Sequence, residues 1–269
     1  MLTIFRIMTE TFKIATWNVN SIRTRQEQVA DWLQSNKINI ALLQEIKCTN
    51  EQFPYEIFED LGYNCYILGQ KSYNGVAILS KLPVDEIEKT FKNNNISEQA
   101  RFIEVALNLP IGYTRIISVY IPNGGEPASE KFESKLVFLD KFREYISKTI
   151  SFDEHLIIGG DFNVALNDED VYSKENLEGK TCFTIDERTK LRKLLNDVMI
   201  DLQKFYKADN IFTWWDYRGG SFQHNKGLRI DYIISSPSCT KYVKNYYVDK
   251  ETRAVKKSSD HAPVILELQ

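Results

Sequence analysis

"LIIGGDFNVA", residues 156–165, decides the fold class of this 269-residue chain. Leu156, Ile157 and Ile158 read as the end of a buried strand. Gly159 and Gly160 then remove the side chains, which lets backbone and substrate come close. Asp161 and Asn163 follow, one residue apart, a spacing that puts both on one side of an extended chain. A core strand that runs straight into a carboxylate and an amide is either a capped turn or one wall of a site. The rest of the chain has to decide between them.

Short apolar or alternating runs recur at 12–17, 38–43, 64–69, 75–79, 101–109, 115–120, 155–159, 230–234, 242–248 and 262–268. Helical patterns lie between some of them. Residues 25–35 set Val29, Trp32 and Leu33 on one face, and 130–148 carry Phe132, Leu136, Leu139 and Phe142 at helical spacing. Thr184 with Glu187 makes a capping box ahead of a helix over 186–198. Asn93–Asn95 and 164–181 read as surface loops. Strands outnumber helices and often follow one another directly, which disfavours a fully parallel doubly wound sheet and favours a mixed-sheet layered α/β fold. There is no repeat and no linker-like segment. Residues 12–269 are expected to form a single domain, with 1–11 as an N-terminal extension that Met8, as an alternative start, would shorten.

Hydrophobic residues make up 43% of the chain and charged residues 26%, with a net charge of −3. That balance does not suit a basic coat for nucleic acid, so any bound nucleic acid must meet a local basic face or a metal ion. No run approaches the roughly 18 apolar residues of a membrane span, and the expected location is the cytoplasm. Cys48, Cys65, Cys182 and Cys239 are scattered, with no CxxC pair, and read as reduced thiols.

The same exit from strand to polar residue occurs repeatedly. "KIAT" leads into Trp17-Asn18-Val19-Asn20, "NIALL" into Gln44-Glu45, and "RIISV" into Tyr120-Ile121-Pro122-Asn123. Asp231 lies inside "GLRIDYII", and Asp260-His261 precedes the last strand. Pooled, these exits offer Glu45, Asp161, Asp231 and Asp260, several amides, one tyrosine and one histidine, without a conspicuous serine or cysteine nucleophile. Carboxylate oxygens suit Mg²⁺ or Mn²⁺, and with one imidazole they point to metal-assisted attack of water on a phosphoester. Of the three histidines, His155 begins a strand and reads as structural, and His224 sits in a polar loop. His261 is the functional candidate, with Asp231 as the carboxylate that orients it.

The blocks "TWNVNSIR" (16–23), "LLQEIK" (42–47), "VYIPNG" (119–124), "GGDFNVA" (159–165), "TWWDYR" (213–218), "GLRIDYII" (227–234) and "SDHAPV" (259–264) together resemble the exonuclease III family of apurinic/apyrimidinic (AP) endonucleases. That family lies in the DNase I-like endonuclease/exonuclease/phosphatase superfamily. The blocks keep the family's order from about residue 12 to 268. The resemblance implies a four-layer α/β sandwich, two mixed sheets packed face to face with helices outside. It implies a Mg²⁺-dependent nuclease, with Mn²⁺ as an alternative ion, that acts as a monomer on double-stranded DNA at abasic sites or 3′ ends. A superfamily phosphatase or an RNA-directed phosphodiesterase is the alternative.

The resemblance also implies roles for single residues. Glu45 would ligate the metal, with Asn18 and Asp260 close by. Asp161 would activate the attacking water or hold it through the metal. Asn163 would hydrogen-bond the scissile phosphate, and Tyr120 and Asn123 would lie along the same oxygens. Asp231 would orient His261 against that phosphate. Arg101 matches the family's conserved arginine. Trp214 would face the abasic sugar with Leu228 nearby, while Trp215 turns into the core. Arg23, Arg25, Lys226 and Arg229 are candidate cations toward DNA. Two departures stand out: Asn20, where many members carry Asp or Gly, and Ser258, where many carry Pro. Asn20 leaves one fewer carboxylate for metal than members with Asp have.

Overall fold

The structure is a computed structural model that describes residues 11–150, 154–197, 199–206 and 212–269. The expected N-terminal extension lies outside the described residues except for Thr11. One sheet contains β1 (Phe12–Asn18), β2 (Ile40–Gln44), β3 (Asn64–Leu68), β4 (Val76–Ser80), β11 (Val243–Val248) and β12 (Val264–Leu268), in the order β11-β12-β1-β2-β4-β3. The other contains β5 (Glu86–Glu88), β6 (Phe102–Leu109), β7 (Gly112–Tyr120), β8 (His155–Asp161), β9 (Ile200–Asp201) and β10 (Asp231–Ser235), in the order β5-β6-β7-β8-β10-β9. Each sheet has one parallel pair near its middle, β1 with β2 and β7 with β8, and antiparallel pairing elsewhere.

Four layers follow from strands that are apolar on both faces. Ile14, Ile40, Leu42, Ile116 and Ile157 point between the sheets and form the central core. Their chain neighbours Ala15, Ala41, Leu43, Ile117 and Ile158 point outward. These outward residues cannot face water, so helices cover them. On the first sheet lie α1 (Ile22–Ser35) and α2 (Tyr55–Glu59), contributing Val29, Leu33 and Phe58. On the second lie α3 (Glu130–Thr149) and α5 (Ile185–Asp197), contributing Phe138, Phe142, Leu191 and Leu194. Burial on both faces explains why the strands read as apolar runs rather than clean alternation. The short α4 (Lys174–Leu177) and α6 (Glu251–Ala254) lie in connections.

Several local expectations shift. α1 begins at Ile22, three residues before the pattern suggested. Thr184 and Glu187 do form the reciprocal cap of α5, the hydroxyl accepting from the Glu187 amide at 3.2 Å and the carboxylate from the Thr184 amide at 3.0 Å. Leu136 is only half-buried on α3, and Lys135 takes its place on the core face. The segment 164–181 is not simply a surface loop: Val164, Ala165, Leu166, Asp170 and Val171 are buried. The paired glycines serve sheet packing rather than the approach of substrate. A Cβ on Gly159 would stand 2.6 Å from Leu42 Cδ1 and 3.1 Å from Thr16 Cβ on the facing sheet, and one on Gly160 would overlap the Val119 carbonyl oxygen on β7. No helix among the described residues is long and apolar enough to cross a membrane.

Candidate active site

The C-terminal ends of the two parallel pairs meet at one edge of the sandwich. Register puts Asn18 beside Gln44 on the first sheet and Tyr120 beside Asp161 on the second. The antiparallel β10 adds Asp231 directly opposite Asp161. Rigid strands thus deliver side chains to a common edge while the loops beyond leave it open. The cleft there has a volume of about 550 Å³. Glu45, Tyr120, Asn123, Asp161, Asn163, Trp214, Leu228, Asp260 and His261 all line it, with Asn18 and Asp231 bonded to them from beneath.

Asn18 is the hinge of the two sheets here. Its Nδ2 donates to Glu45 Oε1 at 2.8 Å and to Asp161 Oδ2 at 2.9 Å, so one amide fixes two carboxylates from opposite sheets. Glu45 follows β2 with φ 50°, a left-handed conformation rare for a long side chain. Its neighbours hold it there, with Ser21 N donating to the Glu45 carbonyl at 2.7 Å and Ile46 N to the Gly75 carbonyl at 3.1 Å. Burial would raise the Glu45 carboxyl, but the Lys47 ammonium at 2.8 Å and the Asn18 bond outweigh it and hold it below its usual range.

Asp161 and Asn163 do converge, though not because the chain is extended. The chain turns at Asn163, φ 51°, and Asp161 Oδ1 caps that turn by accepting from Asn163 N at 2.9 Å. Asn163 Nδ2 donates to the Ile121 carbonyl at 3.0 Å, and its Oδ1 accepts from Asn123 Nδ2 at 3.1 Å. The two amides therefore form one unit across the cleft floor.

His261 lies between two acids. Its Nδ1 is 2.8 Å from Asp231 Oδ2, and its Nε2 is 3.8 Å from Asp161 Oδ2. Thr213 Oγ1 donates to Asp231 Oδ2 at 2.6 Å and completes that carboxylate's shell. Burial works against the charged imidazole, but Asp231 and Asp161 outweigh it and raise His261 to about 10. Burial and the Asp231 charge together push Asp161 up to about 7, with His261 and Asn18 pulling the other way. A cation and a proton-accepting carboxylate thus face the same point at neutral pH. Burial, with the Glu45 and Asp161 charges, lifts the Tyr120 phenol well above its ordinary value, so it stays protonated.

Glu45, Asp161 and His261 each offer an atom within 4.8 Å of the others. A protonated imidazole has no free lone pair, so the donors that fit a cation are the carboxylates of Glu45 and Asp161, a hard-oxygen pair suited to a divalent ion. Asp260 falls outside that group, and its oxygens are hydrogen-bonded like those of Glu45 and Asp161, its Oδ2 accepting from Trp214 Nε1 and its Oδ1 from Asn20 Nδ2, both at 3.0 Å. The Asn18 Oδ1 accepts one bond, from Asn20 N at 3.0 Å, which leaves its second lone pair free.

Trp214 and Leu228 stand together as a bridged pair on one wall, and Trp215 is fully buried. Arg101 does not line this cleft. Its guanidinium packs 4.6 Å from the Tyr120 ring centroid and faces an adjoining groove of about 370 Å³. Two expected DNA cations are corrected. Arg229 is 2% exposed and commits four of its five guanidinium N–H groups to Asp170 and Asp201, so it is buried away from any phosphate. Arg25 is bonded to the Val19, Lys257 and Ser258 carbonyls and the Tyr217 hydroxyl, tying the loop that carries Asp260 to α1. Arg23 and Lys226 are exposed. His155 bonds Ser238 at 2.9 Å, well away from the cleft. The sequence reading missed Lys47, Thr213 and the buried pair Lys135–Glu187. Lys47, two residues from Glu45, and Thr213, the first residue of TWWDYR, carried a signal.

Two face-to-face mixed sheets with a carboxylate, amide and imidazole cleft at the ends of their parallel strands define a class of metal-dependent phosphoester hydrolases. The chain belongs to the Endonuclease/Exonuclease/phosphatase family, whose model matches residues 15–261. Within that family it falls in the exonuclease III-type branch. It is 34% identical to exodeoxyribonuclease III of Haemophilus influenzae over 96% of this chain and all of that protein. A 3′ phosphatase, NExo, from Neisseria, solved with a product DNA hairpin, superposes with a TM-score of 0.91 at 35% identity, covering 96% of this chain and 99% of that one. An AP endonuclease from Archaeoglobus fulgidus superposes with a TM-score of 0.90 at 33% identity and the same coverage.

Proposed function

We propose that this chain is a Mg²⁺-dependent DNA repair nuclease. It hydrolyses the phosphodiester 5′ to an abasic site in duplex DNA, leaving a 3′-hydroxyl and a 5′-deoxyribose phosphate, and it also trims 3′ ends. It works as a monomer in the cytoplasm, with residues 12–269 as one catalytic unit. The observation that carries this reading is the triad of Asp161, His261 and Asp231 facing the paired amides Asn123 and Asn163 beside the Trp214–Leu228 wall.

A phosphodiester resists attack because its oxygens already carry negative charge. Glu45 and Asp161 would hold the divalent ion, which supplies charge neutralisation at the phosphate. The His261 Nε2–H and the Asn123 and Asn163 amides are preorganised donors toward the non-bridging oxygens as charge grows there. Asp161 accepts the proton of the attacking water from a carboxylate held in place by Asn18 Nδ2 and Asn163 N. Tyr120, held protonated, donates a hydrogen bond toward the departing 3′ oxygen. Asp231, fixed by Thr213, keeps the imidazole oriented and charged.

Selectivity follows from the wall. An abasic sugar leaves the duplex at lower cost than an intact nucleotide because no base must unpair or unstack. Trp214, pinned by Asp260, and Leu228 line the cleft as an apolar wall against which a baseless sugar would pack. The test is a substrate panel of tetrahydrofuran-containing duplex, 3′-phosphate duplex, RNA and inositol phosphates in Mg²⁺. Incision immediately 5′ to the tetrahydrofuran is the expected result. Release of inorganic phosphate without incision would move the assignment to a phosphatase.

A further inference from the structure

Lys135 and Glu187 are both 0% exposed, and they pair with each other far from solvent. A buried ammonium is costly unless every proton finds a partner. Here every proton does: Lys135 Nζ donates to the Asn123 carbonyl at 3.1 Å, to the Asn163 carbonyl at 2.8 Å, and to Glu187 Oε1. Glu187 in turn accepts from Cys182 N at 3.2 Å and from Thr184 N at 3.0 Å. One ion pair therefore ties three loops that share no ladder, and the first two carry the amides of the cleft floor.

Packing alone does not explain a lysine at this position. It stands on the core face of α3 among Phe132, Phe138, Leu139 and Phe142, where an aliphatic side chain would cost less to bury. What lysine adds is three donors for turns whose carbonyls point inward. The turns at Gly124, φ 87°, and Asn163, φ 51°, are both left-handed. A Cβ on Gly124 would come within 2.9 Å of Lys135 Cδ, so the turn is shaped around the lysine stem.

We propose that Lys135 and Glu187 are positioning residues for the reaction. They set the main-chain positions of Asn123 and Asn163, so that the two side-chain amides meet the scissile phosphate together. This inference rests on the phosphate-binding role given to those amides above. A shift of about 1 Å at such donors lowers turnover by roughly a hundredfold.

The test is a double-mutant cycle on the full chain. Lys135→Met should lower kcat for tetrahydrofuran-duplex incision by about 30-fold, with KM within about threefold. In an Asn163→Ala background the same change should lower kcat by less than about threefold. Glu187→Gln, which keeps an acceptor and loses the charge, should lie between parent and Lys135→Met, and it carries the same cycle if Lys135→Met does not fold. Leu33→Ala, a buried position on α1, serves as a control for general destabilisation and should leave kcat unchanged. Independent of any substrate, the side-chain amide NMR signals of Asn123 and Asn163 should move in the Lys135 and Glu187 variants and stay in place in Leu33→Ala. Losses that multiply with Asn163→Ala, or unmoved amide signals, would overturn the brace. Absence of abasic incision by the parent would instead defeat the functional reading, while the amide signals still decide the brace.

Discussion

Two buried charge clusters, joined in sequence where Arg229 precedes Asp231 by two residues, behave in opposite ways. In one, Arg229 sits between Asp170 and Asp201 with its guanidinium 4.3 Å from the Tyr232 ring centroid. Asp170 Oδ2 also accepts from Asn167 N, and Asp201 Oδ1 from Gln203 N. Four of the five guanidinium N–H groups are paired, and the arginine holds its protons at any working pH. In the other, Asp161, His261 and Asp231 are as deeply buried, but the cluster opens onto a cleft. Its cation is an imidazole, and its acids compete for that cation's charge. Burial and charge pairing are therefore not what mark a catalytic centre. The marks are an open face and a proton that can move.

The first way to break this comparison is to remove the mobile proton. His261→Gln retains a donor for Asp231 but cannot carry charge, and turnover should fall about 10³-fold, roughly 4 kcal/mol in barrier height. A steady-state assay that shows less than a tenfold loss would put the imidazole outside the chemistry. The closed cluster should respond in stability instead. Arg229→Met strands two buried carboxylates and should cost about 3–5 kcal/mol in chemical denaturation, while the rate per folded molecule stays within twofold. A slow but stable Arg229→Met would return Arg229 to the substrate.

Two smaller effects sharpen the same contrast. Gly160→Ala forces a methyl group onto the Val119 carbonyl and should destabilise by about 3 kcal/mol, read as a drop in melting temperature. A normal melting temperature with weakened DNA binding would revive the idea that the glycines admit substrate. Trp214→Ala should reduce abasic incision about tenfold more than 3′ trimming, because only the first reaction uses the wall. Equal losses in parallel assays would take Trp214 out of the pocket.

Much of this architecture was legible in the sequence, for a specific reason. Strands covered on both faces must be apolar throughout, so β1, β2, β7 and β8 announced themselves. β5 did not, because Glu86-Ile87-Glu88 is an exposed edge. The polar exits were legible only as a set, because an amide or acid at one strand end is an ordinary turn former and several together are not. Arg229 misled because a basic residue inside a motif looks the same whether it faces phosphate or two aspartates far along the chain. Lys135 was invisible for the converse reason: in a helix it reads as solvated, and its partner Glu187 lies on another helix, 52 residues away. The convergence of Asp161 and Asn163 was foreseen from an extended chain, yet it arises from a left-handed turn that Asp161 itself caps. At this position a capped turn and one wall of the cleft are the same object.

The central claim is that Asp161, the last residue of β8 and part of the cleft lining, takes the proton of the attacking water while its neighbours hold the phosphate. The most direct test is single-turnover incision of a tetrahydrofuran-containing duplex by Asp161→Asn at saturating Mg²⁺, with duplex affinity measured on the same sample. The account predicts affinity within about threefold of the parent and incision slowed by about 10³-fold or more. Incision at the parental rate, or equal losses of binding and incision, would contradict it.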